Sequence, residues 1–412
     1  DCVKALVLSA FCDFGGPAAM SFDLNPDVLD AIDPPIAEAH SWIAGRSFAP
    51  DKPLLDLAQG VPSYPPAEAI TAHIAERAAL FETAQYTAIN GIPELRQALA
   101  THVSERYGGQ VGAENMLICA GCNQAFCLAI LALARAGDAV MLPVPYYFNH
   151  QMWLEMQGIS PIHLPFRHDR AGVPDPLEAA ELLTDKTKAI VLVSPSNPTG
   201  AIYPPAVIAQ FRDLAMERGI ALIIDETYRD FLGDEDGPPH RLFDDENWGE
   251  AVVQLYSFSK SFSLTGYRVG AITAGTKFIG AASKIMDTVQ ICTPRISQDA
   301  ALYGLKHVWP WVAEKRAMLA GREAALRDVF SDSALPYELI SAGGYFAYIR
   351  HPFEGKTAKQ VARKLADEQN ILCLPGSFFG PGQDSYLRFA FANVEAADIG
   401  MLAERLKASA PA

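Results

Sequence analysis

Short, wholly apolar runs that stop abruptly on a polar or small residue recur through the first two-thirds of the chain. They restrict the fold more than any other feature. Ala221-Leu222-Ile223-Ile224 ends on Asp225, and Ala189 to Val193 opens into Ser194-Pro195-Ser196-Asn197-Pro198-Thr199-Gly200. Met116 to Cys119 runs into Ala120-Gly121-Cys122-Asn123-Gln124. Such runs, bounded by turn residues, read as strands buried on both faces, which parallel sheets covered by helices require. Helical patterns lie between them from about Pro66 to Ala274, so an α/β fold with a mainly parallel sheet is expected.

In open parallel sheets ligands sit outside the carboxyl ends of the strands, so Asp225 points toward a site. The alternative is a simple N-cap for the segment that follows. Pro195, Pro198 and Gly200 make a rigid turn that offers the Asn197 amide at its tip, unless it is a plain turn. The small-residue turn at Gly121, followed by a helical pattern from Ala125 to Arg135, would form an anion cradle of backbone N–H groups.

One lysine stands apart. Lys260 lies in Tyr256-Ser257-Phe258-Ser259-Lys260-Ser261-Phe262-Ser263-Leu264-Thr265-Gly266-Tyr267-Arg268, among hydroxyls and glycine, eight residues before an arginine. An amine there can condense with an aldehyde while Ser257, Ser259 and Arg268 hold a phosphate. A solvated loop would have similar composition, so the upstream segments carry the argument.

Composition narrows the classes. The 412 residues exceed one simple core, so two domains are expected. A net charge of −15 opposes binding to nucleic acid or to an anionic membrane surface, and the longest apolar runs fall short of a membrane span. Seven cysteines, mostly in apolar segments such as those holding Cys119, Cys127 and Cys373, suit thiols in a reducing, cytoplasmic compartment. Cys119-Ala120-Gly121-Cys122 has redox or zinc spacing, but no second pair or histidine-rich partner accompanies it, so no metal site is expected. Residues 1–19 read as a leader or upstream segment ahead of Met20, and no signal peptide is favoured.

Taken together, the Ser-Pro-Ser-Asn-Pro-Thr-Gly turn, the Asp225-Glu226-Thr227-Tyr228 strand end and the Ser257-to-Arg268 segment resemble the class I/II aminotransferases. These are the aspartate-aminotransferase-like branch of the type I pyridoxal-phosphate fold. The resemblance runs from about Leu57 to Ala392. It implies pyridoxal 5'-phosphate held as an internal aldimine by Lys260, with Asp225 on the ring nitrogen and Tyr228 and Asn197 on the phenolate oxygen. It also implies a phosphate held by Ser257, Ser259, Arg268 and the backbone of Gly121, Cys122 and Asn123. Tyr147 would stack on the ring, in place of the tryptophan of classical aspartate enzymes. His150 would back Asp225 or fill the core. Arg388 would grip the substrate α-carboxylate with the backbone of Gly60 and with Asn197, and Tyr86 would reach the phosphate of a neighbouring subunit in a homodimer.

The same likeness implies a large domain over 66–307 and a smaller one from 20–65 with 308–412, in which residues 341–349 form a strand. The implied reaction moves an amino group from an amino acid to a 2-oxo acid by a ping-pong cycle. A carbon–sulfur β-lyase is the alternative on the same fold, and a ligand-sensing regulator is a distant third. Arg295 lies where a second substrate-binding arginine would be, or is a surface charge, so the donor stays open among aspartate, aromatic, methionine or broad specificity.

Overall fold

The computed structural model describes residues 22–233 and 237–411, so the proposed leader over residues 1–19 lies outside the described residues. The apolar runs are strands of one seven-stranded sheet. These strands are β2 (Met116–Cys119), β3 (Ala139–Pro143), β4 (Ser160–Leu164), β5 (Thr187–Val193), β6 (Ala221–Asp225), β7 (Val252–Ser257) and β8 (Gly270–Ala274), in the order β2-β8-β7-β6-β5-β3-β4. The run from β7 to β4 is parallel; β8 alone is reversed, pairing antiparallel with β7 and with β2.

Side chains alternate between two buried layers, as the two-residue period of a strand dictates. Leu222 and Ile224 pack with Leu95, Leu99 and Phe211 of helices Pro93–Tyr107 and Pro205–Arg218. Ile223, Val191 and Leu255 pack on the other face with Phe126 and Met286 of helices Cys122–Leu133 and Thr276–Val289. The same parity puts Val193, Asp225 and Ser257 on that second face at the carboxyl ends of their strands. Val193 pairs with Asp225, and Asp225 with Leu255, so the first two strands end level and β7 runs two residues further, to Ser257. The positions that open the site are thus continuations of the core pattern.

A second sheet is antiparallel, in the order β12 (Leu374–Pro375), β13 (Tyr386–Phe389), β10 (Phe346–Arg350) and β9 (Glu338–Gly343). The single strand expected over residues 341–349 is instead a hairpin, because Gly344 takes a φ of +58° and turns the chain between β9 and β10. A separate parallel pair joins β1 (Leu55–Asp56) to β11 (Ile371–Leu372), bringing the two ends of the chain together. The two sheets meet where the Ser194–Gly200 turn touches the hairpin: Ser341 Oγ donates to Thr199 O at 2.7 Å. A Cβ on Gly200, which has φ +71°, would lie 2.1 Å from Phe346 O. Only glycine permits that approach.

Directly behind Asp225, Glu226 points into a buried polar network. It accepts hydrogen bonds from Tyr107 Oη at 2.7 Å and from Gln254, with His240 Nε2 at 3.3 Å. Arg229 closes the network, bonded to Tyr107 and lying 3.9 Å over the Tyr256 ring. Burial alone would raise the Glu226 carboxyl, yet His240 and Arg229 hold it below its ordinary value. Glu226→Ala leaves these groups buried without their carboxylate. It is expected to cost about 3–5 kcal/mol of folding stability, seen as a lower urea midpoint at unchanged slope.

Candidate active site

At the carboxyl edge of the first sheet lies a cavity of about 350 Å³, between that sheet and β10–β13. Lys260, Asp225, Tyr228, Asn197, Tyr147 and Arg388 line it, as do Cys122, Asn123, Ser257, Ser259, Arg268 and Gly60. All twelve are singled out from the sequence, Gly60, Cys122 and Asn123 for their backbone, and they are scattered over more than three hundred positions. Gly121 stands behind this wall, and Tyr86 is elsewhere, 78% exposed on the surface of the chain.

The amine is held by local geometry. Strand β7 ends at Ser257, whose hydroxyl accepts from Ser259 N at 3.2 Å and caps the short helix Phe258–Ser261 that carries Lys260. Lys260 Nζ donates to Gly60 O at 2.9 Å, reaching across to the segment after β1. Burial pushes this amine down to about 8, helped by the charges of Arg268 and Arg388 and opposed by Asp225. At pH 7.5 roughly a quarter of such an amine is neutral, against roughly a thousandth at the ordinary lysine value.

The anion cradle forms where Gly121, at φ +86°, starts helix Cys122–Leu133. Its missing Cβ matters, because one placed there would lie 2.4 Å from an Arg268 terminal nitrogen. The first-turn N–H groups of that helix have no carbonyl within the helix to bond, and they face the same corner. Arg268 donates to Thr265 O at 2.9 Å and to Ser259 Oγ at 3.4 Å. A backbone φ of +50° at Arg268 turns it back toward Ser259.

Asp225 is gripped from several sides. Its Oδ1 accepts from Thr227 N at 3.0 Å and from Thr227 Oγ1 at 2.7 Å, and the Cys122 thiol also donates to this carboxyl. His150 Nε2 stands 3.6 Å from Oδ2, and burial, which pushes that imidazole down to about 3, keeps it neutral. Burial also raises the Asp225 carboxyl, against the pull of Thr227 and Cys122. A cationic ring nitrogen beside it would restore the charged form, so the residue suits a protonated heterocycle.

Arg388 is the third cation, 1% exposed in the middle of β13. Its guanidinium lies 4.8 Å from the Phe346 ring centre and 5.0 Å from that of Phe379. It donates to Asn197 Oδ1 at 3.1 Å and to Ala58 O, while its Nε has no partner. A buried donor left open is costly, and a carboxylate entering the cavity would satisfy it. The Tyr228 ring packs on Tyr345 and Phe346 at 5.1 and 5.3 Å. Tyr147 Oη donates to Asn123 Oδ1 at 3.5 Å.

Several lining residues escaped the sequence reading. Thr227 had a local signal, since a hydroxyl two residues after a strand-end Asp commonly folds back onto it. Phe346 and Val61 had none, and neither did Ile36 of helix Pro35–Ser41, because apolar residues look alike whether they line a core or a cavity. Arg295 is absent from the lining: it donates from Nε to Asp299 at 3.0 Å and stands 3.9 Å from Glu82.

The fold defines the class of protein first. Aspartate aminotransferase of Thermus thermophilus, solved with maleate, superimposes with a TM-score of 0.85 at 23% identity over 94% of this chain and 100% of that one. An aromatic aminotransferase of Pyrococcus horikoshii gives 0.81 at 24% identity, over 90% and 98%. Residues 52–406 match the aminotransferase class I and II family, and the protein belongs to it. Its relatives include an aromatic aminotransferase of Arabidopsis thaliana, 28% identical over 359 residues, 86% of this chain and 89% of the relative. An aspartate aminotransferase of Pyrococcus abyssi is 26% identical over 305 residues, 73% of this chain and 78% of the relative. The protein is therefore an enzyme, a pyridoxal-phosphate-dependent transaminase.

The depressed basicity of Lys260 has a kinetic consequence. Only a neutral amine can condense with an aldehyde, and its fraction grows with pH. Stopped-flow absorbance should therefore show capture of added pyridoxal phosphate by cofactor-free protein accelerating up to about pH 8 and levelling above it. A rate still climbing steadily through pH 10 would show an amine of ordinary basicity.

Proposed function

We propose that the enzyme moves the amino group of an L-amino acid to a 2-oxo acid in two half-reactions at this one cavity. The observation that carries the reading is that Lys260 shares a single cavity with two guanidinium groups, Arg268 and Arg388, whose charges both lower its basicity. One suits the cofactor phosphate and the other the substrate carboxylate. Pyridoxal phosphate, when bound, supplies an electron sink for the charge left on Cα once its proton departs.

The residues fit that group. Lys260 would be the amine that holds its aldehyde, and Ser257, Ser259, Arg268 and the backbone at Gly121, Cys122 and Asn123 would hold the phosphate. Asp225 would serve the ring nitrogen, Tyr147 the ring face, and Tyr228 and Asn197 the ring hydroxyl. Arg388, with Asn197 and the Gly60 backbone, orients the substrate carboxylate and thereby directs Cα toward Lys260. Lys260, once free, would take the proton from Cα and deliver it to the cofactor's C4′, the shift that transfer of the amino group requires. Its lowered basicity lets the neutral base exist near neutral pH.

The residues 20–65 and 308–412 are proposed as a small domain that hinges on 66–307. Support comes from the β1–β11 pairing and from a shared core of Leu55, Leu57, Leu326, Leu365 and Leu406. Closure would exclude water from the site. A homodimer is proposed from the exposed Phe81, Tyr86 and Ile89, which lie beside exposed Val289 and Ile291. Thr87 N contacts Cys292 Sγ at 3.4 Å, which joins the two segments into one patch. Tyr86, too far from its own cavity, would serve the partner's. The buried thiols of Cys119, Cys122, Cys292 and Cys373 suit a reducing cytoplasm.

Lys260→Ala is expected to keep pyridoxal phosphate bound but to abolish turnover; normal turnover in that variant would overturn the assignment. Arg388→Leu should lower kcat/KM roughly a hundredfold or more for every amino acid, as loss of a buried charged partner does, while the visible spectrum of the bound cofactor persists. Release of pyruvate and ammonia from cystathionine with no 2-oxo acid present would instead favour the lyase.

A further inference from the structure

We infer that Asp230 positions Lys260 for its proton transfer: through Tyr256 and Ser261 it ties the short helix that carries the amine to the turn that carries Tyr228. The inference rests on the transamination reading and adds positioning residues to it. None of the three lines the cavity.

Asp230 is buried in the short turn Arg229–Phe231, which directly follows Tyr228. Tyr256 Oη donates to its Oδ2 at 2.7 Å. A tyrosine hydroxyl has a single proton to give, and burial raises this phenol so that it keeps it. Ser261 Oγ, 2.6 Å away, must then donate to Tyr256 Oη. The result is a buried chain of fixed direction, from Ser261 through Tyr256 to Asp230. One end is the residue after Lys260, and the other lies two residues after Tyr228.

A counter-ion role for Arg229 does not account for this arrangement. Arg229 Nε stands 3.8 Å from Asp230 Oδ1 and has no hydrogen-bond partner. Its guanidinium turns instead to Tyr107 and to the face of the Tyr256 ring. His102 Nε2 is 4.0 Å from the same oxygen, and burial, which pushes that imidazole down to about 4, keeps it neutral at pH 7. The close contact of Asp230 is the Tyr256 hydroxyl.

The helix that carries Lys260 needs such an anchor. Phe258–Ser261 is a single turn, too short to hold its shape by its own hydrogen bonds. The Ser257 hydroxyl caps its start. Beyond its end the chain bends sharply, with Ser263 at a φ of +56°. Ser261, the last residue of the turn, is held by the chain to Asp230. A tilt there would be carried out to Nζ, and a misplacement of about 1 Å can slow a positioned step on the order of a hundredfold.

The test compares Ser261→Ala and Tyr256→Phe with the wild type, since each deletes one hydroxyl and leaves Asp230 beside Arg229. In cofactor-free protein, stopped-flow capture of added pyridoxal phosphate should slow at least about fivefold. In the holoenzyme, loss of visible absorbance with an amino acid and no 2-oxo acid should slow at least about tenfold at saturation, with apparent KM within about twofold. The isotope effect of a Cα-deuterated donor should rise. The double variant should be no slower than the slower single one, as expected of two hydroxyls acting through one chain.

Unchanged capture and conversion in variants that only melt a few degrees lower would show a purely stabilising role and overturn the inference. Should Tyr256→Phe fail to fold, Ser261→Ala decides between the same two outcomes. A wild type that no amino acid converts would remove the transamination reading and this inference with it. A converting wild type with unaffected variants would sink this inference alone.

Discussion

Three cations share one largely buried cavity with a single carboxylate, and most of what the site does follows from that imbalance. Bringing Lys260, Arg268 and Arg388 out of water is unfavourable, and their mutual repulsion weakens the hold of Lys260 on its proton. Anions entering the cavity would relieve that repulsion. The protein as a whole carries a net charge of −15, so the positive character of the cavity is local. It survives because the low-polarity walls of the cavity leave little water to screen it.

The carboxylate that tempers this charge is itself a product of strand geometry. Asp225 continues the alternation of Ala221 and Ile223, so it emerges on the face that carries helix Cys122–Leu133 and the phosphate turn. Its chain neighbour Glu226 has left the strand and serves the opposite side, anchoring Tyr107, Gln254 and His240. Two adjacent acids thus do unrelated work. One lines the cavity; the other is spent on structure. The division is a matter of direction and of which partners each meets, since both are fully buried carboxylates.

Much of the site was readable because its residues sit at punctuation points. Strand ends, proline turns and the Gly121 turn announce themselves by composition, and Lys260 and Arg268 stand out among hydroxyls. What composition could not supply was the second tier. Ile36 and Phe346 are ordinary apolar residues in sequence, and only the fold sets them on the cavity wall. The hairpin at Gly344 was hidden for a related reason. Residues 341–349 are mostly small or aromatic, and a glycine pair inside such a run reads equally well as a kink or a reversal. Arg295 could be read either way until its partners Asp299 and Glu82 were known.

By itself, then, the sequence determined the α/β class and pointed to the lysine, the arginines and the carboxylate that the fold brings into one cavity. Those properties are local: they need only a few neighbouring residues with the right period and turn chemistry. Tertiary structure decided which face Asp225 presents and how far burial shifts Lys260. It also decided which walls are left for the substrate side chain. These depend on contacts between segments hundreds of residues apart, such as Lys260 with Gly60 and Arg388 with Ala58. Desolvation and charge coupling act through space, and no local pattern in the chain records them.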